Sequence, residues 1–273
     1  MSAFVEIRRG DAPLLVSIPH TGTDIPPEIE GRLVSPWLAR KDTDWWIERL
    51  YAFADGLGAT VVRTPVSRTV IDVNRNPSGA PLYPGMATTE LCPTTTFDGE
   101  ALYRPGEEPS GEEIAERRRR WFDPYHAALD AELARLKARH PTVVVYDCHS
   151  IRSLVPRLFD GLLPVFNVGT NGGAAADRAL AADVLAIFAG SGRSFVLDGR
   201  FKGGWITRRL GAPADGVHAV QMEIACRGYL AETPGPVREG AWPPTFDPDF
   251  ARPTADVLAL VLGACLRFAR SCS

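Results

Sequence analysis

Apolar positions fall in two rhythms along the 273 residues. Short β-branched runs that break off at polar residues alternate with longer stretches whose apolar side chains return every three or four positions, the pattern of strands and amphipathic helices in an α/β protein. The clearest run is Thr142-Val143-Val144-Val145-Tyr146-Asp147-Cys148-His149-Ser150, which follows a proline and reads as a buried strand with polar groups at its carboxyl end. Leu14-Leu15-Val16-Ser17-Ile18-Pro19-His20 has the same form. Further strands are expected around Phe4 to Ile7, over Ala59 to Arg63, through Ser67 to Arg75, near Val165 to Val168, over Ser194 to Leu197 and over Gly216 to Ile224.

Helical spacing is expected from Asp42 or Asp44 onward, with Asp44 as cap and Trp46, Ile47, Leu50, Tyr51 and Phe53 following before Gly56 and Gly58. The strongest helical pattern runs from Glu112 to His140, with Ile114, Trp121, Tyr125, Leu129, Leu133 and Leu136 on one face and Arg117 to Arg120 on a solvated side. Two more helices are expected, from Asp177 to about Gly190 and from about Pro253 to Arg270. The proline-rich segment from Gly22 to Pro36 reads as a surface loop, and residues 76–110 as a long excursion over the face where the strands end. With no repeat and no low-complexity linker, the chain reads as one α/β domain, 1–273.

Composition narrows the function. At 45% hydrophobic content the chain can bury a large core, while a net charge of -3 and a pI near 6.0 provide no broad attraction for nucleic acid or an anionic membrane. A small molecule is the expected partner. Cys92, Cys148, Cys226, Cys265 and Cys272 are scattered, without a CxxC pair, which speaks against a disulfide framework and for a reducing cytoplasm. The N-terminal residues lack a signal pattern, and no segment has the length of a membrane span. The glycines at Gly172-Gly173 and Gly203-Gly204 complete no phosphate-binding loop, so no nucleotide cofactor is expected.

Two strand ends each offer an imidazole, His20 and His149. Two histidines and a carboxylate are a standard ligand set for one catalytic zinc with a position open to water. Asp24, Asp42 and Asp44 can supply the carboxylate, and Asp44 leads because a helix N-terminus would hold it firmly. Side chains alternate along a strand, so Asp147 and His149 share a face while Cys148 points away from it and makes a poor nucleophile. Glu223 lies in an apolar strand, where a charge is costly unless it is paired with an arginine or has a chemical task. Arg68, Asn74 and Arg75 read either as salt-bridging residues on an edge strand or as readers of an anionic substrate.

Ser-Ile-Pro-His-Thr-Gly (17–22), Asp-Thr-Asp-Trp (42–45), Ser-Arg-Thr-Val-Ile-Asp-Val-Asn-Arg (67–75), Leu-Cys-Pro-Thr-Thr-Thr-Phe-Asp-Gly (91–99), Asp-Cys-His-Ser-Ile-Arg (147–152) and Gly-Arg-Phe-Lys-Gly-Gly-Trp-Ile-Thr-Arg (199–208) together resemble the N-formylglutamate deformylase family. These amidohydrolases end one bacterial route of histidine degradation. The resemblance spans nearly the whole chain and implies a fold similar to that of zinc carboxypeptidases and aspartoacylases, a mixed, largely parallel β-sheet flanked by helices, with one zinc at the strand ends. It implies that His20 and His149 are metal ligands, Glu223 the general base, Arg68 the arginine that steadies the oxyanion, and Asn74-Arg75 the clamp on a substrate carboxylate. Thr23 stands three residues after His20 where those relatives carry a glutamate, so the acidic ligand is expected at Asp44 ahead of Asp42 and Asp24. Arg200, Lys202 or Arg208 is expected to hold the second carboxylate of N-formyl-L-glutamate. The same chemistry could also serve another N-acyl amino acid or a C-terminal peptide bond, and a non-catalytic protein that binds acidic metabolites is the alternative from another class.

Overall fold

The computed structural model describes residues 4–80, 85 and 87–271. Met1 to Ala3, Cys272, Ser273 and five residues of the expected excursion, 81–84 and 86, lie outside the described residues. The remaining cysteines are free and buried.

The backbone is a mixed sheet of strands β1 (Glu6–Arg8), β2 (Leu14–Ile18), β3 (Thr60–Arg63), β4 (Val143–Ile151), β5 (Phe166–Gly169), β6 (Phe195–Leu197) and β7 (Val217–Ala225). Their order across the sheet is β1-β3-β2-β4-β7-β5-β6, with β3, β2, β4 and β7 parallel and β1 and β5 antiparallel to their inner neighbours. The central strands are buried on both faces, which is why they appear in the sequence as continuous apolar runs.

Helices α1 (Pro27–Glu30), α2 (Ile47–Leu50), α3 (Gly111–Arg117), α4 (Asp123–Lys137), α5 (Arg178–Gly190), α6 (Trp205–Leu210) and α7 (Pro248–Ser271) cover the sheet. One face packs α2, α5 and α7 against Val144, Tyr146 and Cys148, and the other packs α4 and α6 against Val143 and Val145. This two-sided covering realises the alternation expected along β4. None of the helices among the described residues is long and apolar enough to cross a membrane.

Local expectations changed in three places. Ser67 to Arg75 is a buried, turn-rich segment instead of a strand: Val70 N–H donates to Ser67 O, Arg75 N–H to Asp72 O, and Asp72 Oδ1 accepts from Asn74 N–H. Turns and side chains thus satisfy the backbone that a sheet partner would have satisfied. Asp44 does not cap α2, which begins after Trp46 in a left-handed conformation with φ 65°. The arginine run is not uniformly solvated either. It forms a π-helical segment, Arg118–Phe122, joining α3 to α4, and Arg117 is buried, donating to Val70 O at 3.0 Å, Tyr103 Oη at 2.8 Å and Glu113 Oε1 at 3.0 Å. Arg117 therefore fastens the 67–75 turn to the helix beneath it.

Candidate active site

Parallel strands β2, β4 and β7 end on the same side of the sheet, where a crevice for chemistry is expected. The β4–β7 register sets His149 opposite Glu223 and Asp147 opposite Gln221, so these side chains share one face. His20 follows β2, and its carbonyl accepts the N–H of Asp44 at 3.0 Å. Asp44 Oδ2 in turn accepts from Ser150 N–H at 3.1 Å, which ties the carboxylate to β4 as well.

His20, Asp44 and His149 meet here, all buried, with one ligand atom from each within 4.8 Å of the others. His20 Nε2 lies 2.8 Å from Asp72 Oδ1 and His149 Nε2 lies 2.9 Å from Asp147 Oδ2. A carboxylate only accepts, so each Nε2 carries a proton and each Nδ1 of a neutral ring presents a lone pair. These two nitrogens are 3.1 Å apart and stand 3.6 and 3.2 Å from Asp44 Oδ2. A tetrahedral ion bound at about 2.0–2.2 Å requires ligand separations near 3.4 Å. Three acceptors facing one another at that spacing fit a metal cation.

The electrostatics agree. Burial alone would raise the pKa of Asp44, but hydrogen bonds with His149 and His20 and the charge of Arg68 hold it well below the usual carboxylate range. Burial disfavours a charged His149, yet Asp147 and Asp44 outweigh it and hold its pKa well above the ordinary imidazole value, so a proton fills the Nδ1 lone pair wherever no cation takes it. The cluster attracts positive charge. Glu223 behaves oppositely: burial, aided by Asp44 and opposed by His149, pushes its carboxyl up to about 8. A divalent cation nearby would pull that value down.

The cavity over the cluster is lined by His20, Arg68, Asn74, Arg75, His149, Arg200 and Glu223, with Gln221 behind and an apolar wall of Phe97, Ile151, Leu158 and Phe201. Arg68 donates to Asp44 Oδ1 at 3.2 Å and to Asp72 Oδ2 at 2.8 Å. Asn74 Nδ2 lies between His149 Nε2, 2.9 Å away, and Asp147 Oδ2, to which it donates at 3.1 Å, and Asn74 Oδ1 accepts from Ile206 N–H at 2.8 Å. Asn74 thus braces the His149 support. Gly204 must lack a side chain here, since a Cβ would fall 2.3 Å from Asn74 Nδ2. Arg75 is held by Thr89 O and Oγ1, and Arg200 by Leu158 O and Ala87 O. The structure does not bring Lys202 and Arg208 into this cavity lining. Asp42 points elsewhere, to Phe97 N–H and Arg152, and Asp24 lies exposed in a loop. Glu223 forms none of the ion pairs found among the described residues, so the buried arginine pair considered for it is not present there.

The N-formylglutamate amidohydrolase family model matches residues 12–230. The chain belongs to this family. It is 46% identical over 271 residues to an N-formylglutamate deformylase of Pseudomonas aeruginosa, covering 99% of this chain and 98% of the relative. A second N-formylglutamate deformylase, from Pseudomonas putida, is 45% identical over 267 residues and 97% of both chains. Among solved structures, an N-formylglutamate amidohydrolase from Ralstonia eutropha JMP134 shares the fold at a TM-score of 0.80 and 21% identity, over 98% of this chain and 99% of that one. A protein of Agrobacterium tumefaciens shares it at 0.71 and 20%, over 96% and 94%.

Within this family member, Asp72 is the site residue that sequence reasoning left without a role. It supports His20, pairs with Arg68 and accepts from Asn74 N–H, and burial fails to raise its pKa because His20, Arg75 and Arg68 hold it well below the carboxylate range. Asp147 had a signal: it lies two residues before His149 on the same strand face.

Proposed function

We propose that the chain is a zinc-dependent deformylase that hydrolyses N-formyl-L-glutamate to formate and L-glutamate, the step that ends a bacterial route of histidine degradation. The observation that carries this reading is the convergence of the buried His20 and His149 ring nitrogens with the Asp44 carboxylate, beneath a cavity that also holds Glu223 and three arginines. The relatives' names support the substrate.

His20, Asp44 and His149 would hold the zinc, which when bound lowers the pKa of its water from 15.7 towards about 7. Glu223 takes a proton from the attacking water and passes it to the departing amino nitrogen, work typically worth about a hundredfold to ten-thousandfold in rate. Arg68 faces the oxygen of the formyl group and stabilises the charge that develops there. Arg75 grips one carboxylate of the substrate and Arg200 the other, because Arg200 is the cavity-lining member of the three cations expected for that task. Asn74 acts from behind by keeping Asp147 against His149.

A substrate panel tests the function. With zinc supplied, kcat/KM should be highest for N-formyl-L-glutamate and fall for N-acetyl-L-glutamate, for N-formyl amino acids lacking the side-chain carboxylate and for peptidyl substrates. Faster turnover of the acetyl or peptidyl compounds would contradict it, as would binding of glutamate without hydrolysis.

A further inference from the structure

The segments that supply the metal cluster and the cavity also carry residues that the proposed chemistry leaves unused. Asp42 precedes Asp44 by two positions, Arg152 follows His149 by three, and Phe97-Asp98 lies within the excursion that precedes α3. These residues meet behind the cavity wall. Asp42 Oδ2 accepts the backbone N–H of Phe97 at 2.6 Å, and Arg152 Nη2 donates to Asp42 Oδ1 at 3.2 Å and Asp98 Oδ2 at 2.8 Å. Lys41 Nζ closes the network on Asp98 at 2.5 Å. The turn itself is sharp: Gly99 N–H donates to Thr96 O at 2.9 Å, with φ 89° at Gly99, a left-handed conformation suited to glycine.

Phe97 is the side chain that this turn sends into the cavity, and the Arg68 guanidinium lies over its ring with Cζ 4.8 Å from the centroid. Arg68 is otherwise held through N–H bonds to Asp44 and Asp72, which lie in the plane of the guanidinium and leave its faces ungoverned. The aromatic face supplies the missing restraint. Burying an ion pair such as Asp42–Arg152, whose side chains are 12% and 3% exposed, contributes little stability by itself because desolvation offsets the attraction. Its geometric effect is specific: it locks the Phe97 backbone to the very segments that carry Asp44 and His149.

We propose that the Asp42–Arg152 pair is a positioning device for Arg68, acting through Phe97, which it holds against the guanidinium face. The inference rests on the reading of Arg68 as the group that meets the developing oxyanion. Its effect therefore falls on the chemical step, leaving metal and substrate affinity nearly intact.

The test compares zinc-loaded Arg152→Met, Arg152→Lys, Phe97→Leu, the Arg152→Met/Phe97→Leu double variant and Arg68→Lys with N-formyl-L-glutamate, reading kcat, KM, bound zinc and Tm. Arg152→Met and Phe97→Leu should each lower kcat about tenfold, in keeping with loss of a desolvated cation–π contact, with KM within about twofold and zinc retained. Arg152→Lys should recover part of the loss, and the double variant should lose no more than Phe97→Leu alone, since both act through one contact. Lower Tm with unchanged kcat per zinc-loaded site, or losses that multiply in the double variant, would overturn the proposal. Phe97→Leu leaves the ion pairs in place, so it carries the test if Arg152→Met does not fold. If Arg68→Lys keeps full kcat, the oxyanion reading itself fails. A loss in Arg68→Lys without one in Arg152→Met and Phe97→Leu removes the positioning device alone.

Discussion

Asp147→Asn changes almost no volume and removes the acceptor that fixes the proton on His149 Nε2, 2.9 Å away. Asn74 Nδ2 already donates to the same oxygen at 3.1 Å, so an amide at position 147 must divide one oxygen between Asn74 and His149 or turn its NH2 towards the ring. The first leaves the Nε2 proton on a neutral, weaker acceptor, and the second puts the proton on Nδ1 and removes the lone pair aimed at His20 and Asp44. Loss of such a support typically costs tenfold to a hundredfold in metal affinity, and the tautomer argument places this variant near the upper end, about 2.7 kcal/mol. Competition with a chromophoric chelator at neutral pH reads the zinc Kd directly. The stabilisation that excess zinc confers should shrink by a similar amount, visible in paired melting curves. Zinc affinity equal to that of the unaltered protein would refute the assignment of Asp147 as the support of a metal-binding His149.

Other consequences are open to simpler measurements. Arg200→Met and Arg75→Met should each raise KM for N-formyl-L-glutamate with a smaller effect on kcat, and a substrate lacking the side-chain carboxylate should become indifferent to one of the two; equal sensitivity of both variants to that substrate would dismiss the two-carboxylate reading. His126 is kept neutral because burial, reinforced by Arg209, lowers its pKa to about 4, so the folded state resists a proton that the unfolded chain accepts below about 6.5. Its contribution is present above pH 6.5 and is lost as the pH falls through the folded value, a decline of at most about 3 kcal/mol. Denaturant titrations of metal-free protein between pH 7 and 4 should show that decline flattened in His126→Gln, and an unchanged profile would contradict it.

Much of the scaffold could be read from the chain because its central strands are buried on both sides and stop at polar residues. β2, β4 and β7 announced themselves in this way, and with them His20, His149 and Glu223. Their mutual placement was not legible, since strand order and register arise from tertiary packing, and only the β4–β7 pairing sets Glu223 across from His149. Ser67 to Arg75 alternates like a strand, but its polar members turn inward to Asp44, Asp147 and the histidines, and those contacts are made across long sequence separations. For the same reason Asp72 carried no local sign of its support for His20, and Asp44 resembled a helix cap although its carboxylate serves Ser150 and Arg68. Arg117 misled because three exposed arginines follow it, while two of its three partners, Tyr103 and Val70, are remote in sequence and only Glu113 is local.

Glu223→Gln provides the most direct test that this cavity performs metal-assisted deformylation with a carboxylate base. The substitution keeps the side chain's shape and leaves His20, Asp44 and His149 untouched. Zinc content and kcat for N-formyl-L-glutamate should be measured on one preparation. One zinc per chain with kcat reduced about a hundredfold or more is the expected result. Full zinc occupancy with near-normal kcat would contradict it.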